Sequence, residues 1–103
     1  MTIVGHFING VKVEDQNRPQ DVFNPATGEV SRQVAMASPA TVQSAITAAE
    51  AAFPAWRNTP PLKRARIMFK FKELLEANAD KVVALITEEH GKVLNDAMGE
   101  FQR

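Results

Sequence analysis

The 103-residue chain contains no cysteine. That absence excludes a disulfide framework, a zinc ribbon and a thiol nucleophile within these residues. Histidine is scarce, with only His6 and His90. Without cysteine or a tight His/Asp/Glu cluster, the spacing assembles no metal or nucleophilic site. The five glycines are scattered and fit neither G-x-G-x-x-G nor a Walker pattern, so no phosphate-cradling loop is present. Charge of one sign is lacking too. Twelve basic residues balance twelve acidic ones, so no strong field draws the chain to nucleic acid or to a membrane surface. No apolar run reaches the length that spans a bilayer. The opening MTIVGHFING has neither the basic start nor the long apolar stretch of a secretory signal, which makes a cytoplasmic location the expectation. No internal repeat or low-complexity tract occurs. The length suits one domain with a modest core, or a piece of one.

What is present centres on Ser38–Trp56. Val42, Ala45, Ile46, Ala49, Ala52 and Phe53 recur at the spacing of one helical face, and Gln43, Thr47 and Glu50 share the opposite face. Ser38 can accept a bond from an orphan amide of the first turn, and Pro39 suits the first helical position. Pro54 is expected to end the helix, since it biases Phe53 away from helical angles. Alanines allow a neighbour to approach closely. Phe53 and Trp56 are expected to plug a core.

Before this helix the chain reads as short strands. Phe7–Val13 carries Asn9-Gly10 between β-formers, the signature of a tight hairpin. Residues 14–20 are polar and read as a loop. Asp21–Phe23 reads as a strand, Asn24–Glu29 as a compact turn with Pro25 early and Gly28 late, and Val30–Ala35 as a strand returning against Asp21–Phe23. After a connector at 54–60, a second helix is expected over Pro61–Ala77, with a broad apolar face of Ile67, Met68, Phe71, Leu74 and Leu75. Its charges oppose the helix dipole, with Lys63, Arg64 and Arg66 at the start and Glu73 and Glu76 near the end. This pattern hints at tertiary partners for the basic residues. Asn78 is expected to cap a third helix, 79–89, with Ala79, Val82, Val83 and Ile86 inward and Gly91 as the left-handed stop. A fourth helix, with Leu94, Ala97, Met98 and Phe101 on one face, is still running at Arg103, which suggests a truncated protein. His90 reads as part of a helix end rather than a general base. Glu88 and Glu89 are adjacent on a helix and point about 100° apart, so they make no acid/base pair. From the residues alone, this is a mostly helical α+β segment: N-terminal β-hairpins followed by about four helices.

Five strings then fall in a familiar order. Phe7-Ile8-Asn9-Gly10, Asn24 to Val30, Ala51 to Trp56, Arg64 to Ile67, and Glu89-His90-Gly91-Lys92 resemble, together, the N-terminus of aldehyde dehydrogenases. Gly91 to Arg103 is similar to the CoA-acylating, methylmalonate-semialdehyde dehydrogenase branch. Val93 stands where most of the superfamily has proline, and Gly99-Glu100-x-x-Arg103 closes the stretch.

The resemblance implies that residues 1–103 are the N-terminal segment of a longer enzyme with an α/β, Rossmann-like cofactor-binding domain. It implies a small aldehyde as substrate, NAD as hydride acceptor, coenzyme A as acyl acceptor with loss of carbon dioxide from a malonate-type semialdehyde, and a homo-oligomer. It implies a cysteine nucleophile, oxyanion-hole groups and NAD contacts beyond Arg103. No catalytic or cofactor-binding residue is therefore expected in this chain, and these residues alone are expected to be inactive. Two positions carry family roles: Arg103, implied to hold the substrate's carboxylate, and Glu89, implied to serve a structural monovalent-cation site with the backbone of Val22 and Phe23. A guanidinium grips a carboxylate through two parallel bonds, and a hard cation takes oxygen ligands, so both roles suit these residue types. The alternatives are a hydrolytic, non-acylating aldehyde dehydrogenase and a stand-alone helical interaction module.

Overall fold

The computed structural model describes residues 1–103. The chain forms two compact units, Met1–Val22 with Val30–Thr59, and Phe23–Glu29 with Pro60–Arg103.

The first unit begins with β1 (Ile3–Val4), β2 (His6–Ile8) and β3 (Val11–Val13). β2 and β3 form the expected hairpin, with Phe7 opposite Lys12 and Ile8 opposite Val11. Asn9 (φ 54°) and Gly10 (φ 75°) make its two-residue turn. Both angles are positive, the conformation that Asn-Gly tolerates best. β4 (Gln20–Asn24) and β5 (Glu29–Val34) are neighbours in a second sheet of order β1-β5-β4. The four-residue connection between them can join only antiparallel strands. The sequence pattern did not single out β1. It lies parallel to β5, with Ile3 opposite Gln33 and Val4 opposite Val34. A two-residue strand has no periodicity of its own; only its pairing with β5 defines it.

Helix α1 spans Pro39–Asn58. Ser38 caps it as expected, its Oγ accepting from Thr41 N at 3.1 Å, with Pro39 at the first position. The expectation that Pro54 ends the helix is wrong. Pro54 lies inside it, and the helix runs on to Asn58. Proline removes one backbone bond from the ladder, but the turns beyond it are closed by Thr59. The Thr59 amide donates to Trp56 O at 3.1 Å, and its hydroxyl donates to Ala55 O at 2.8 Å. Thr59 adopts φ −71° and ψ 127°, the extended conformation imposed on a residue before proline, here Pro60. The expected core plug is also corrected. No residue of α1 is buried; Phe53 and Trp56 are 55% and 40% exposed. Phe53 instead lies beneath the Arg57 guanidinium, 5.7 Å from its ring centroid.

In the second unit, α2 (Pro61–Ala77), α3 (Ala79–His90) and α4 (Leu94–Gln102) follow the expected bounds closely. α3 packs mainly on α4. Val83 and Ala97 form the buried centre, at 4% and 0% exposure. Asn78 does not cap α3 through its side chain. Its Nδ2 donates to Leu74 O at 2.8 Å, so it closes α2 instead. At φ −114° and ψ 18° Asn78 lacks the extended angles of a typical N-cap, and its amide turns back to the exposed carbonyls of α2. Gly91 ends α3 in the left-handed conformation, φ 86°, as expected.

Candidate functional site

The titratable side chains form small separate groups rather than one cleft. In the first unit, His6 on β2 meets Asp15 across 2.9 Å between Nε2 and Oδ2. The other Asp15 oxygen accepts the Asn17 amide at 2.8 Å. These bonds, His6 first and Asn17 second, hold the Asp15 carboxyl below its ordinary value of 3.8. Asn17 then clasps the chain ahead of α1. Its Nδ2 donates to Met36 O at 2.9 Å, and the Met36 amide donates to Asn17 O at 3.0 Å. A carboxylate orienting a histidine is part of many hydrolytic sites, but neither serine nor cysteine lines the adjoining cavity of about 430 Å³, which includes Thr2, His6, Lys12 and Glu14. The pair therefore serves as a polar fastener between the hairpin and the start of α1. Sequence reasoning missed it. His6 and Asp15 are nine positions apart across a turn and a loop, a spacing with no periodic signature.

In the second unit, the end of α3 meets the turn that follows Phe23. A Cβ added at Gly91 would lie 3.1 Å from Pro25 Cγ. Asn24 organises that turn: its Oδ1 accepts the Ala26 amide at 2.9 Å and its carbonyl accepts the Gly28 amide at 2.8 Å. Glu89 is exposed two residues before Gly91, on the last turn of α3. Phe23 belongs to this same unit, and Val22 to the first. The Val22 carbonyl already accepts the Ser31 hydroxyl at 3.1 Å. No group of three or more His, Cys, Asp or Glu residues is placed to hold a metal ion. A cation held beside Glu89 would thus need backbone carbonyls for most of its ligands.

Beyond Gly91, Lys92 pairs with Glu100 of α4. The hydrogen bond from Lys92, then its charge, keeps the Glu100 carboxyl below its ordinary value of 4.5. Val93 enters α4 in an extended conformation, φ −66° and ψ 155°, with Asp96 in the first turn at the positive end of the helix dipole. Arg103 follows α4, its amide donating to Glu100 O at 3.2 Å and its side chain exposed. The site residues expected from sequence thus stand at the ends of α3 and α4 and, for Val22 and Phe23, within β4.

A family profile described as "Aldehyde dehydrogenase family" matches residues 12–103. The chain is 55% identical to malonate-semialdehyde dehydrogenase of Pseudomonas aeruginosa, over 100% of its own length and 21% of that protein's. It is 63% identical to a methylmalonate-semialdehyde dehydrogenase from Oceanimonas doudoroffii, whose crystal structure it matches with a TM-score of 0.95, covering 99% of this chain and 21% of that one. A putative methylmalonate-semialdehyde dehydrogenase from Sinorhizobium meliloti, crystallised with NAD, matches at 44% identity and a TM-score of 0.90, over 96% of this chain and 20% of that one. The chain therefore spans about a fifth of the length of these relatives.

Proposed function

The chain belongs to the aldehyde dehydrogenase family, and from that premise we propose that it is the N-terminal segment of an NAD-dependent, CoA-acylating enzyme. The substrate is malonate or methylmalonate semialdehyde, and the products are an acyl-CoA and carbon dioxide. The observation that carries this reading is the likeness along the whole chain to relatives named for those semialdehydes. The NAD-bound relative supports the cofactor. Coenzyme A rests on the stretch Gly91–Arg103, with Val93 in place of proline.

In this reading NAD takes the hydride and coenzyme A the acyl group, both at residues outside 1–103. Residues 1–103 form the N-terminal part of the cofactor-binding domain, ahead of its Rossmann core. The enzyme is cytoplasmic and a homo-oligomer. Arg103 holds the carboxylate of the semialdehyde: its exposed position after α4 leaves its fork open to a planar acid. Glu89 contributes one oxygen to a monovalent cation, together with the carbonyls of Val22 and Phe23. The contact of Gly91 with Pro25 supports that placement, because it holds the end of α3 against the turn after Phe23.

The test is NADH formation from malonate semialdehyde by the enzyme carrying this segment, with and without coenzyme A. Dependence on coenzyme A, with acyl-CoA recovered, is the expected result. A rate and a free-acid product indifferent to coenzyme A would replace the acylating reading with a hydrolytic one.

A further inference from the structure

The segment between α3 and α4 carries a charge pair unlike those on α2. Lys70–Glu73 and Lys72–Glu76 lie within one helix at i,i+3 and i,i+4, and their lysines are 63% and 74% exposed. Pairs of that kind contribute little. Lys92 stands ahead of α4, is only 32% exposed, and reaches across eight positions to Glu100 on the helix. It joins two elements and is partly withdrawn from water, so salt screens it less.

Glu100 has a second cation within reach. Arg103 follows it by three positions, and the Arg103 amide donates to Glu100 O at 3.2 Å. At that helical spacing a glutamate and an arginine are neighbours and can pair. The electrostatics agree: after the Lys92 bond and charge, the charges of His90 and Arg103 lower the Glu100 carboxyl further. One carboxylate thus faces two long basic side chains, and Lys92 engages it. A guanidinium carries donors only, so a released carboxylate one turn before Arg103 would compete with any acid that Arg103 is to grip. It would also repel that acid as a like charge. Lys92, Glu100 and Arg103 together carry one net positive charge; without Lys92 they carry none.

We propose that Lys92 is a positioning residue for recognition of the substrate's carboxylate: by engaging Glu100 it keeps that side chain from capturing Arg103, and so leaves the guanidinium open to the acid. The proposal rests on the reading of Arg103 as the carboxylate-binding residue and adds a specificity device to it. Lys92 acts through Glu100 rather than by touching the semialdehyde. Its role is therefore asymmetric. Loss of Lys92 frees a competitor, whereas loss of the Glu100 charge removes one. A pair that only fastened the Gly91 turn to α4 would suffer equally from either change.

The experiment is steady-state kinetics of the full enzyme with malonate semialdehyde and with propanal, which has the same chain length and no carboxylate. Lys92→Met should raise KM for the semialdehyde at least about threefold more than KM for propanal. Lys92→Arg keeps the cation, and the double variant Lys92→Met/Glu100→Gln removes the competitor. Both should hold the semialdehyde KM within about twofold of the parent. Glu100→Gln alone should leave that KM at the parent value or below it. A smaller or unselective rise in Lys92→Met, or a comparable rise in Glu100→Gln, would overturn the proposal. Should Lys92→Met fail to fold, Glu100→Gln decides alone, since a KM at or below the parent supports the asymmetry and a raised KM refutes it. Arg103→Ala separates the two levels. If it acts equally on both aldehydes, the reading of Arg103 fails and the proposal with it. If Arg103→Ala is selective and Lys92→Met is not, the proposal alone fails.

Discussion

Replacing Gly91 by alanine tests the junction at the end of α3 most sharply. Gly91 sits at φ 86°, where a residue with a Cβ is strained by about 1–2 kcal/mol. Alanine also restricts the unfolded chain, which returns about 0.4–1 kcal/mol. The net backbone cost is about 1 kcal/mol. Gly28 provides the control: its φ is 75°, and an added Cβ there meets nothing within 4 Å. At Gly91 the added Cβ lies 3.1 Å from Pro25 Cγ, so the ring must move or the helix end must shift. Overpacking of this kind adds about 1 kcal/mol. Gly91→Ala should therefore cost about 2 kcal/mol and Gly28→Ala about 1 kcal/mol. Urea unfolding followed by far-ultraviolet circular dichroism reads the difference as a midpoint lower by about 1 M for Gly91→Ala at a typical m-value. The double variant Gly91→Ala/Pro25→Ala removes the ring carbon at issue. It should show a favourable coupling of about 0.5–1 kcal/mol relative to the single changes. Equal costs at Gly28 and Gly91, with no coupling to Pro25, would refute the contact.

Three further outcomes are expected. Asn78→Asp should destabilise at least as much as Asn78→Ala, by about 0.5–1.5 kcal/mol, because the amide donates to Leu74 O and a carboxylate cannot; a neutral or stabilising Asp would restore Asn78 as the cap of α3. The Asp15 carboxyl titrates below its ordinary value in the folded chain, so its contribution is present above the unfolded value of 3.8 and is lost as pH falls through the lower folded value. Between pH 5 and 2.5 the urea midpoint of the parent should accordingly fall more steeply than that of Asp15→Asn, and parallel curves would remove the His6–Asp15 fastener. In the full enzyme, Arg103→Ala should raise KM for malonate semialdehyde at least about tenfold more than for a plain aldehyde, since a charge-assisted bond contributes about 1.5–3 kcal/mol; equal effects on both would end the carboxylate role.

Local chemistry was legible wherever it decides structure by itself. Asn9-Gly10, Ser38-Pro39 and Gly91 each satisfy one backbone requirement within a few residues, and each stands where the sequence placed it. Pro54 misled because the end of α1 is set five residues later, by Thr59 acting before Pro60. Asn78 misled because it can serve either of two adjoining helix ends, and only its own φ and ψ choose between them. β1 and the His6–Asp15 pair depend on partners distant in sequence, β5 and the loop after β3, which no periodicity encodes.

The apolar faces are a different matter. Periodicity showed which side of α1 and α2 should be covered, but not that these residues leave it bare. Val42, Ile46 and Phe53 on α1, like Ile67, Phe71 and Leu74 on α2, remain exposed. Glu89 and Arg103 became candidates only through their positions in family motifs. Their exposure, with no three-member ligand cluster in the chain, explains why spacing and charge could not single them out.

The most direct test of the account is the reading frame beyond Arg103, together with the intact mass of the purified protein. The account predicts a frame that continues into a cofactor-binding domain with a reactive cysteine, and a mass several times 11.3 kDa. A stop codon directly after Arg103, with a stable product of 11.3 kDa, would contradict it and leave a free-standing helical module without dehydrogenase chemistry.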